Sequence, residues 1–170
     1  MHEFAEWLQA SSVSVTIQSV EWIIPLLQSI HILMIGVVFV SSLMITLRVV
    51  GSVRTDEPFA AVWSRFAPWM WGGLVVMALT GLMLIVGEPV REFTALSFWL
   101  KMSLLVISIS SILIFGLTLR PEARTSSSAG FSVGRKAAAL ATVVLWLAII
   151  FLGRAIAYDV EVWGSLSLHA

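Results

Sequence analysis

The chain has 170 residues, of which 59% are hydrophobic and 12% are charged, and its ten Lys and Arg residues balance its ten Asp and Glu residues. A soluble domain is about half apolar and about a quarter charged, so we expect a single membrane domain over residues 1–170, with the lipid bilayer as its solvent. The charge balance gives no indication of nucleic-acid binding, and the absence of cysteine excludes disulfides, iron–sulfur clusters, thiolate zinc sites and covalently attached haem.

At the N-terminus, the apolar residues Phe4, Trp7 and Leu8 recur at helical spacing, opposite Glu3 and Glu6. This pattern predicts a short helix that lies on the outer membrane interface. A frayed terminus is the alternative interpretation.

Four stretches are long and apolar enough to cross a bilayer, which takes about 20 residues of helix. They are residues 22–47, 67–86, 96–119 and 137–158. Aromatic side chains near the ends of these stretches favour the membrane interface, namely Trp22, Trp69, Trp71, Trp99 and Tyr158. The sequence therefore predicts an all-α fold, an integral membrane four-helix bundle.

Basic residues concentrate in the first and third connections between these stretches. Positive charge marks cytoplasmic loops, so both connections are expected in the cytoplasm and both termini on the outer side, in the periplasm of a multi-pass inner-membrane protein. Residues 125–134 are expected to form a flexible loop. The basic residues are Arg48, Arg54 and Arg65 in or beside the first connection, and Arg120, Arg124, Arg135 and Lys136 in the third. We interpret Arg48 as a topology anchor.

Three ionisable residues lie within the predicted spans: His31, Lys101 and Arg154. At a rise of about 1.5 Å per residue, His31 lies roughly 12–14 Å below the outer boundary, Lys101 roughly 6–8 Å below it and Arg154 roughly 6 Å below it. Thr80 and Gly81 lie at a similar depth, and Thr80 is a further candidate cofactor-binding residue. Ionisable groups inside a membrane are costly, so a deep imidazole beneath two cations is a candidate functional site.

This layering fits haem b. Imidazole is a standard axial ligand of haem iron, so His31 is the predicted ligand, with Lys101 and Arg154 facing the two propionates or a quinone. His31 is the sole histidine in any predicted span. A sixth ligand would come from a methionine or from elsewhere, or the iron stays five-coordinate. The available methionines are Met34, Met77, Met83 and Met102.

Simpler interpretations stand beside this one. His31 could be a hydrogen-bonded packing residue, and Lys101 and Arg154 could extend their charged ends to the membrane boundary. The two cations could also pair with acidic residues, namely Glu21, Glu88 or Asp159. Copper binding is less well supported, because the seven methionines do not cluster with histidine.

Several stretches resemble an uncharacterised family of small bacterial four-helix membrane proteins. They are EWIIPLLQSIHILMIGVVF, LRVVG, PWMWGGLVVMALTGLMLI, FWLKMSLL and WLAIIFLGRAIAY. A more distant likeness is to HemJ-type protoporphyrinogen oxidases and to copper resistance protein D-like proteins. HemJ-type proteins carry a histidine in an early span and a lysine opening a later one, as His31 and Lys101 do here, and this resemblance implies a haem b site.

We therefore expect a haem b-binding membrane protein that works in electron transfer, with the lipid bilayer and a quinone or a membrane complex as partners. An alternative is a non-catalytic anchor or accessory subunit of a larger membrane complex. Copper handling or small-molecule transport is the third hypothesis.

Overall fold

The computed structural model describes residues 2–123 and 131–168, and this part of the chain is all helix, turn and loop, with no strand. The all-α prediction is confirmed. The α-helices are, in chain order, α1 (His2–Gln9), α2 (Ser12–Ser19), α3 (Ile23–Val50), α4 (Phe59–Gly87), α5 (Pro89–Thr94), α6 (Leu96–Ala123), α7 (Val133–Ala155) and α8 (Asp159–Trp163). Single 3-10 turns follow α7 and α8, at Ile156–Tyr158 and Gly164–Leu166.

Four of these helices, α3, α4, α6 and α7, are long and apolar enough to cross a membrane, with a mean hydropathy of 2.0 to 2.4. They correspond to the four predicted stretches. The largest difference in bounds is in α4, which begins at Phe59 after the extended Pro58, whereas the predicted stretch begins at residue 67. Part of the loop predicted at residues 125–134 lies outside the described residues, and α7 begins within its last two positions.

The long helices enclose a shared apolar core. The helix α3 packs along α4 and α7, and α6 packs along α7. At the centre, Val38, Met70 and Trp146 are fully buried. Gly73 lets α3 and α4 approach closely here, because a Cβ at this glycine would lie 2.8 Å from Cγ2 of Val38. Burial in this core fixes which face of each helix points inward.

At one end of the molecule, which we call the Glu57 end, α3 ends and α4 begins. Gly51 ends α3 in the left-handed conformation, at φ +88°, and its N–H donates to the carbonyl of Leu47 at 3.1 Å. The buried Arg48 donates from Nε to the carbonyl of Glu57 at 2.9 Å. The carboxylate of Glu57 pairs with Arg54 at 2.5 Å and with Arg65 at 3.3 Å. This network holds the α3–α4 connection in one conformation.

At the opposite end, which we call the Glu92 end, short helices cover the ends of the long helices. The helix α1 packs on α5, and α2 packs on α4, where Gln18 Nε2 donates to the carbonyl of Gly87 at 2.8 Å. The chain after α7 folds over the start of α6. Of these covering elements, only α1 is predicted from the sequence, and its helix is confirmed.

The cover over α6 is built on Asp159 and Trp163. Asp159 accepts from the backbone N–H groups of Leu96 and Ser97 at 3.1 and 2.9 Å, and from the hydroxyl of Ser167 at 2.7 Å. Trp163 Nε1 donates to Ser97 Oγ at 2.8 Å. The first N–H groups of a helix lack partners within the helix, and a carboxylate there also complements the helix dipole. Asp159 is therefore the cap of α6.

Candidate functional site

The imidazole of His31 on α3 lies against α4, where its Nδ1 is 2.9 Å from the hydroxyl oxygen of Thr80. The same hydroxyl is 2.8 Å from the carbonyl of Val76 and 3.3 Å from that of Met77, both on its own helix. Thr80 is buried, and the ring of His31 is half-buried. The structure thus joins two of the predicted site residues directly.

This geometry favours the tautomer in which Nδ1 of His31 carries the proton. The Thr80 hydroxyl has one hydrogen, and it is satisfied by donation to the Val76 carbonyl. Thr80 Oγ1 then accepts from an Nδ1–H group of His31. Among the described residues, Thr80 is the side chain that hydrogen-bonds the ring. The Nδ1–H tautomer leaves a free lone pair on Nε2, which is the state a metal-ligating histidine needs.

Gly81 supplies the space for this ring. A Cβ at Gly81 would lie 3.3 Å from Cε1 of His31 and 3.9 Å from its Nδ1. The first of these distances is tighter than ordinary van der Waals contact. Thr80 and Gly81 therefore contribute in two ways. The Thr80 hydroxyl orients the imidazole by a hydrogen bond, and the absence of a side chain at Gly81 leaves room for the ring.

Lys101 approaches the same region from α6. It lies close enough to His31 for the two side chains to interact electrostatically. The Nζ of Lys101 lies 5.4 Å from the ring centre of Phe98, which is a cation–π contact. The Lys101 side chain also passes close to Gly153 on α7, since a Cβ added to that glycine would lie 3.8 Å from Cδ of Lys101. The structure therefore brings Lys101, His31 and Thr80 into one neighbourhood contributed by α3, α4 and α6.

Glu92 is a member of this neighbourhood that the sequence prediction missed. It is only 7% exposed, interacts electrostatically with Lys101, and lies 3.7 Å from Arg91. Arg91 also pairs with Glu88 at 2.7 Å. Burial raises the pKa of the Glu92 carboxyl above its usual range, although the charges of Lys101 and Arg91 oppose this rise. Among the described carboxylates, the one whose charge acts on Lys101 is thus Glu92, rather than Glu21, Glu88 or Asp159.

Arg154 lies apart from this group. Its side chain is exposed, with its guanidinium carbon 5.2 Å from the ring centre of Tyr158 and Nη2 donating to the Tyr158 hydroxyl at 3.3 Å. The structure shows no contact between Arg154 and His31. Only two of the three predicted ionisable residues therefore share a site.

Two of the methionines near His31, Met34 and Met77, pack in the apolar core. Met77 is buried in the central cluster and Met34 packs against it, while Met83 is 45% exposed. Among the described residues, no group of three or more His, Cys, Asp or Glu side chains could hold a metal ion.

A family model described as "Family of unknown function (DUF6644)" matches residues 4–159 of the chain. No curated protein and no solved structure matches. No named relative therefore supports the likeness to HemJ-type oxidases or to copper resistance protein D-like proteins.

Proposed function

This chain belongs to the DUF6644 family, and we propose that it is a haem b-binding protein of the bacterial inner membrane that works in electron transfer. In this proposal α3, α4, α6 and α7 cross the membrane as a four-helix bundle. The basic residues at the Glu57 end support a cytoplasmic position for that end. The Glu92 end, with both termini, is then periplasmic, and α1 lies at the outer interface.

The observation that carries the proposal is the fixed imidazole of His31. Its Nδ1–H group is held by Thr80, and no hydrogen-bond partner for Nε2 is found within the described chain. The ring of His31 is half-buried, so part of it stays accessible at the surface of the helix pair. An oriented, neutral imidazole with an accessible lone pair is what haem iron requires of an axial ligand.

The donor set fits haem b in charge as well as in ligand type. Lys101 places a cation beside His31, where it would neutralise one propionate. The charge of Glu92 also acts on Lys101, so the carboxylate and the propionate would both interact with that cation. A haem bound here would supply one-electron chemistry. The chain's own residues would orient the group, balance its charge and exclude water from it.

The test is the visible absorption spectrum of the protein, purified in detergent after expression with ample haem. We expect a Soret band that shifts on reduction and is lost in His31→Ala. Thr80→Val removes the hydroxyl that orients the ring, so haem affinity should fall by about tenfold or more. Thr142→Val is the matched control, because the Thr142 hydroxyl bonds only the Ala138 carbonyl of its own helix.

Two outcomes would overturn the proposal. One is a folded, monodisperse protein without a Soret band. The other is a band of equal intensity in His31→Ala and in the wild type. A Thr142→Val protein that loses as much haem as Thr80→Val would show that the losses reflect general destabilisation.

A second candidate function is a non-catalytic anchor or accessory subunit of a larger membrane complex. It is favoured by the small size of the connections between long helices, such as the eight residues between α3 and α4. These leave no catalytic domain within the described residues. Purification from native membranes in a mild detergent should then yield a stoichiometric partner chain, and recovery as a lone cofactor-free monomer would count against this function.

A further inference from the structure

A groove of about 390 Å³ runs between α6 and α7 near the Glu92 end. Only apolar surface lines it. The lining residues are Leu100, Ser103 and Leu104 from α6, Ala148, Phe151 and Leu152 from α7, and Val162 and Trp163 from α8. The hydroxyl of Ser103 donates to the carbonyl of Trp99 on its own helix, so it presents no free donor to the groove.

The groove opens toward the region that the bilayer would occupy. Phe151 is 65% exposed, and Leu100 and Val162 are also exposed. In the part of the groove nearer the Glu92 end, the indole of Trp163 is fixed by its hydrogen bond to Ser97. Since α6 begins at Leu96, the lining from Leu100 to Leu104 covers the second turn of the helix, roughly 6–12 Å from its start. That depth corresponds to the upper part of an acyl chain in a bilayer.

Arg154 lies about one helical turn beyond the groove residue Phe151, toward the Glu92 end. Arg154 follows Phe151 by three residues and Tyr158 follows it by seven, so all three share one face of the chain as it rises toward the Glu92 end. Within the described residues, no carboxylate lies within ion-pair distance of Arg154. Its guanidinium instead lies over the ring of Tyr158. This contact orients the charge and leaves it free to bind an anion.

We propose that this groove and Arg154 form a binding site for an anionic phospholipid, with an acyl chain between α6 and α7 and the phosphate on Arg154. The apolar lining selects a hydrocarbon chain, and the unpaired guanidinium selects a negatively charged headgroup. The Tyr158 hydroxyl is a further hydrogen-bonding group at the level of the headgroup. This site is separate from His31, so it stands independently of haem binding.

The test uses native mass spectrometry of the full chain in detergent, titrated with dioleoylphosphatidylglycerol and, in parallel, with dioleoylphosphatidylcholine. We expect preferential binding of one phosphatidylglycerol molecule. Arg154→Gln should weaken that binding by about fivefold and remove the preference, since one cation near a membrane surface contributes about 1 kcal/mol. Arg65→Gln changes the net charge equally at the opposite end and should leave binding unchanged.

A second variant tests the groove itself. Ala148→Leu fills the groove and should reduce the binding of both lipids, whereas Ala141→Leu, at an exposed position of α7 outside the groove, should not. Equal affinity for the two lipids in the wild-type protein would overturn the proposal, as would unchanged binding in Ala148→Leu. A stable dimer that Ala148→Leu dissociates would also overturn it, because a second copy of the chain would then occupy the groove.

Discussion

Gly81 and His31 are in such close contact across the α3–α4 interface that a single added carbon on the glycine would press on the imidazole, 3.3 Å from Cε1. The neighbouring Thr80 holds the same ring by a hydrogen bond. Position and orientation of the ring are therefore set by two consecutive residues of α4. The site depends on the packing of this helix pair as much as on the histidine.

Substitution of Gly81 by alanine is expected to displace the ring by a few tenths of an ångström and to lengthen its bond to Thr80. Overpacking of this kind costs about 1–3 kcal/mol of unfolding free energy. The measurement is unfolding in mixed detergent micelles, together with haem content. Gly36→Ala on α3 is the control, since a Cβ there meets no atom within 4 Å. Equal stability of Gly81→Ala and Gly36→Ala would contradict the described contact.

The adjacent glycines of α4, Gly72 and Gly73, should respond in opposite ways to alanine. A Cβ at Gly73 would lie 2.8 Å from Cγ2 of the buried, β-branched Val38, so Gly73→Ala should force α3 and α4 apart and cost about 1–3 kcal/mol. A Cβ at Gly72 meets nothing within 4 Å, so Gly72→Ala should be neutral or slightly stabilising. Thermal unfolding of the two variants in one detergent provides the comparison. A loss of stability in Gly72→Ala equal to that in Gly73→Ala would contradict the packing of α3 on α4.

Glu92 should make the stability of the protein depend on pH. Its pKa is raised in the folded state by burial, so the native protein holds a proton there more tightly than the unfolded chain does. Unfolding free energy should therefore fall as the pH rises from the ordinary value near 4.5 through the raised value. Glu92→Gln should remove this part of the pH dependence, and Glu3→Gln, at an exposed carboxylate of α1, should retain it. Parallel pH profiles for the wild type and Glu92→Gln would show that Glu92 titrates as a solvated carboxyl.

The cap of α6 should respond to loss of the Asp159 carboxylate. Asp159→Ala leaves the N–H groups of Leu96 and Ser97 and the hydroxyl of Ser167 without their acceptor, which should cost about 1–2 kcal/mol. Asp159→Asn keeps one carbonyl oxygen and should lose less. Hydrogen exchange at Leu96 and Ser97 is the local measurement, and both amides should exchange faster. Asp56→Ala, at an exposed position of the α3–α4 connection, should leave these amides protected.

The four long helices could be predicted from the sequence because each contains a run of apolar residues with few charges. The start of α4 was placed eight residues late because Ser64 and Arg65 interrupt that run. In the structure both belong to the first turns of α4, where Arg65 reaches Glu57. Hydropathy detects the apolar segment, whereas Pro58 and the Glu57 network determine where the helix begins.

The candidate site was predicted in part. His31, Lys101 and Thr80 stand out because polar residues are rare in apolar spans, and their similar depth follows from helix rise. Depth gives no information on rotation about the helix axis, so the sequence did not separate Arg154, which faces outward, from Lys101. Glu92 was missed because it lies in a connection, where a carboxylate is normally solvated. Only the packing of α1 on α5 and the approach of Lys101 show that Glu92 is buried.

The position of Asp159 and Trp163 has a consequence for the order in which the protein matures. Both residues follow α7, yet they complete the first turn of α6, more than sixty residues earlier in the chain. During synthesis, α6 therefore leaves the ribosome before its cap exists. The first N–H groups of α6 lack the Asp159 carboxylate until the last long helix has been synthesised. A nascent chain truncated before Asp159 would contain all four long helices but could not close the start of α6.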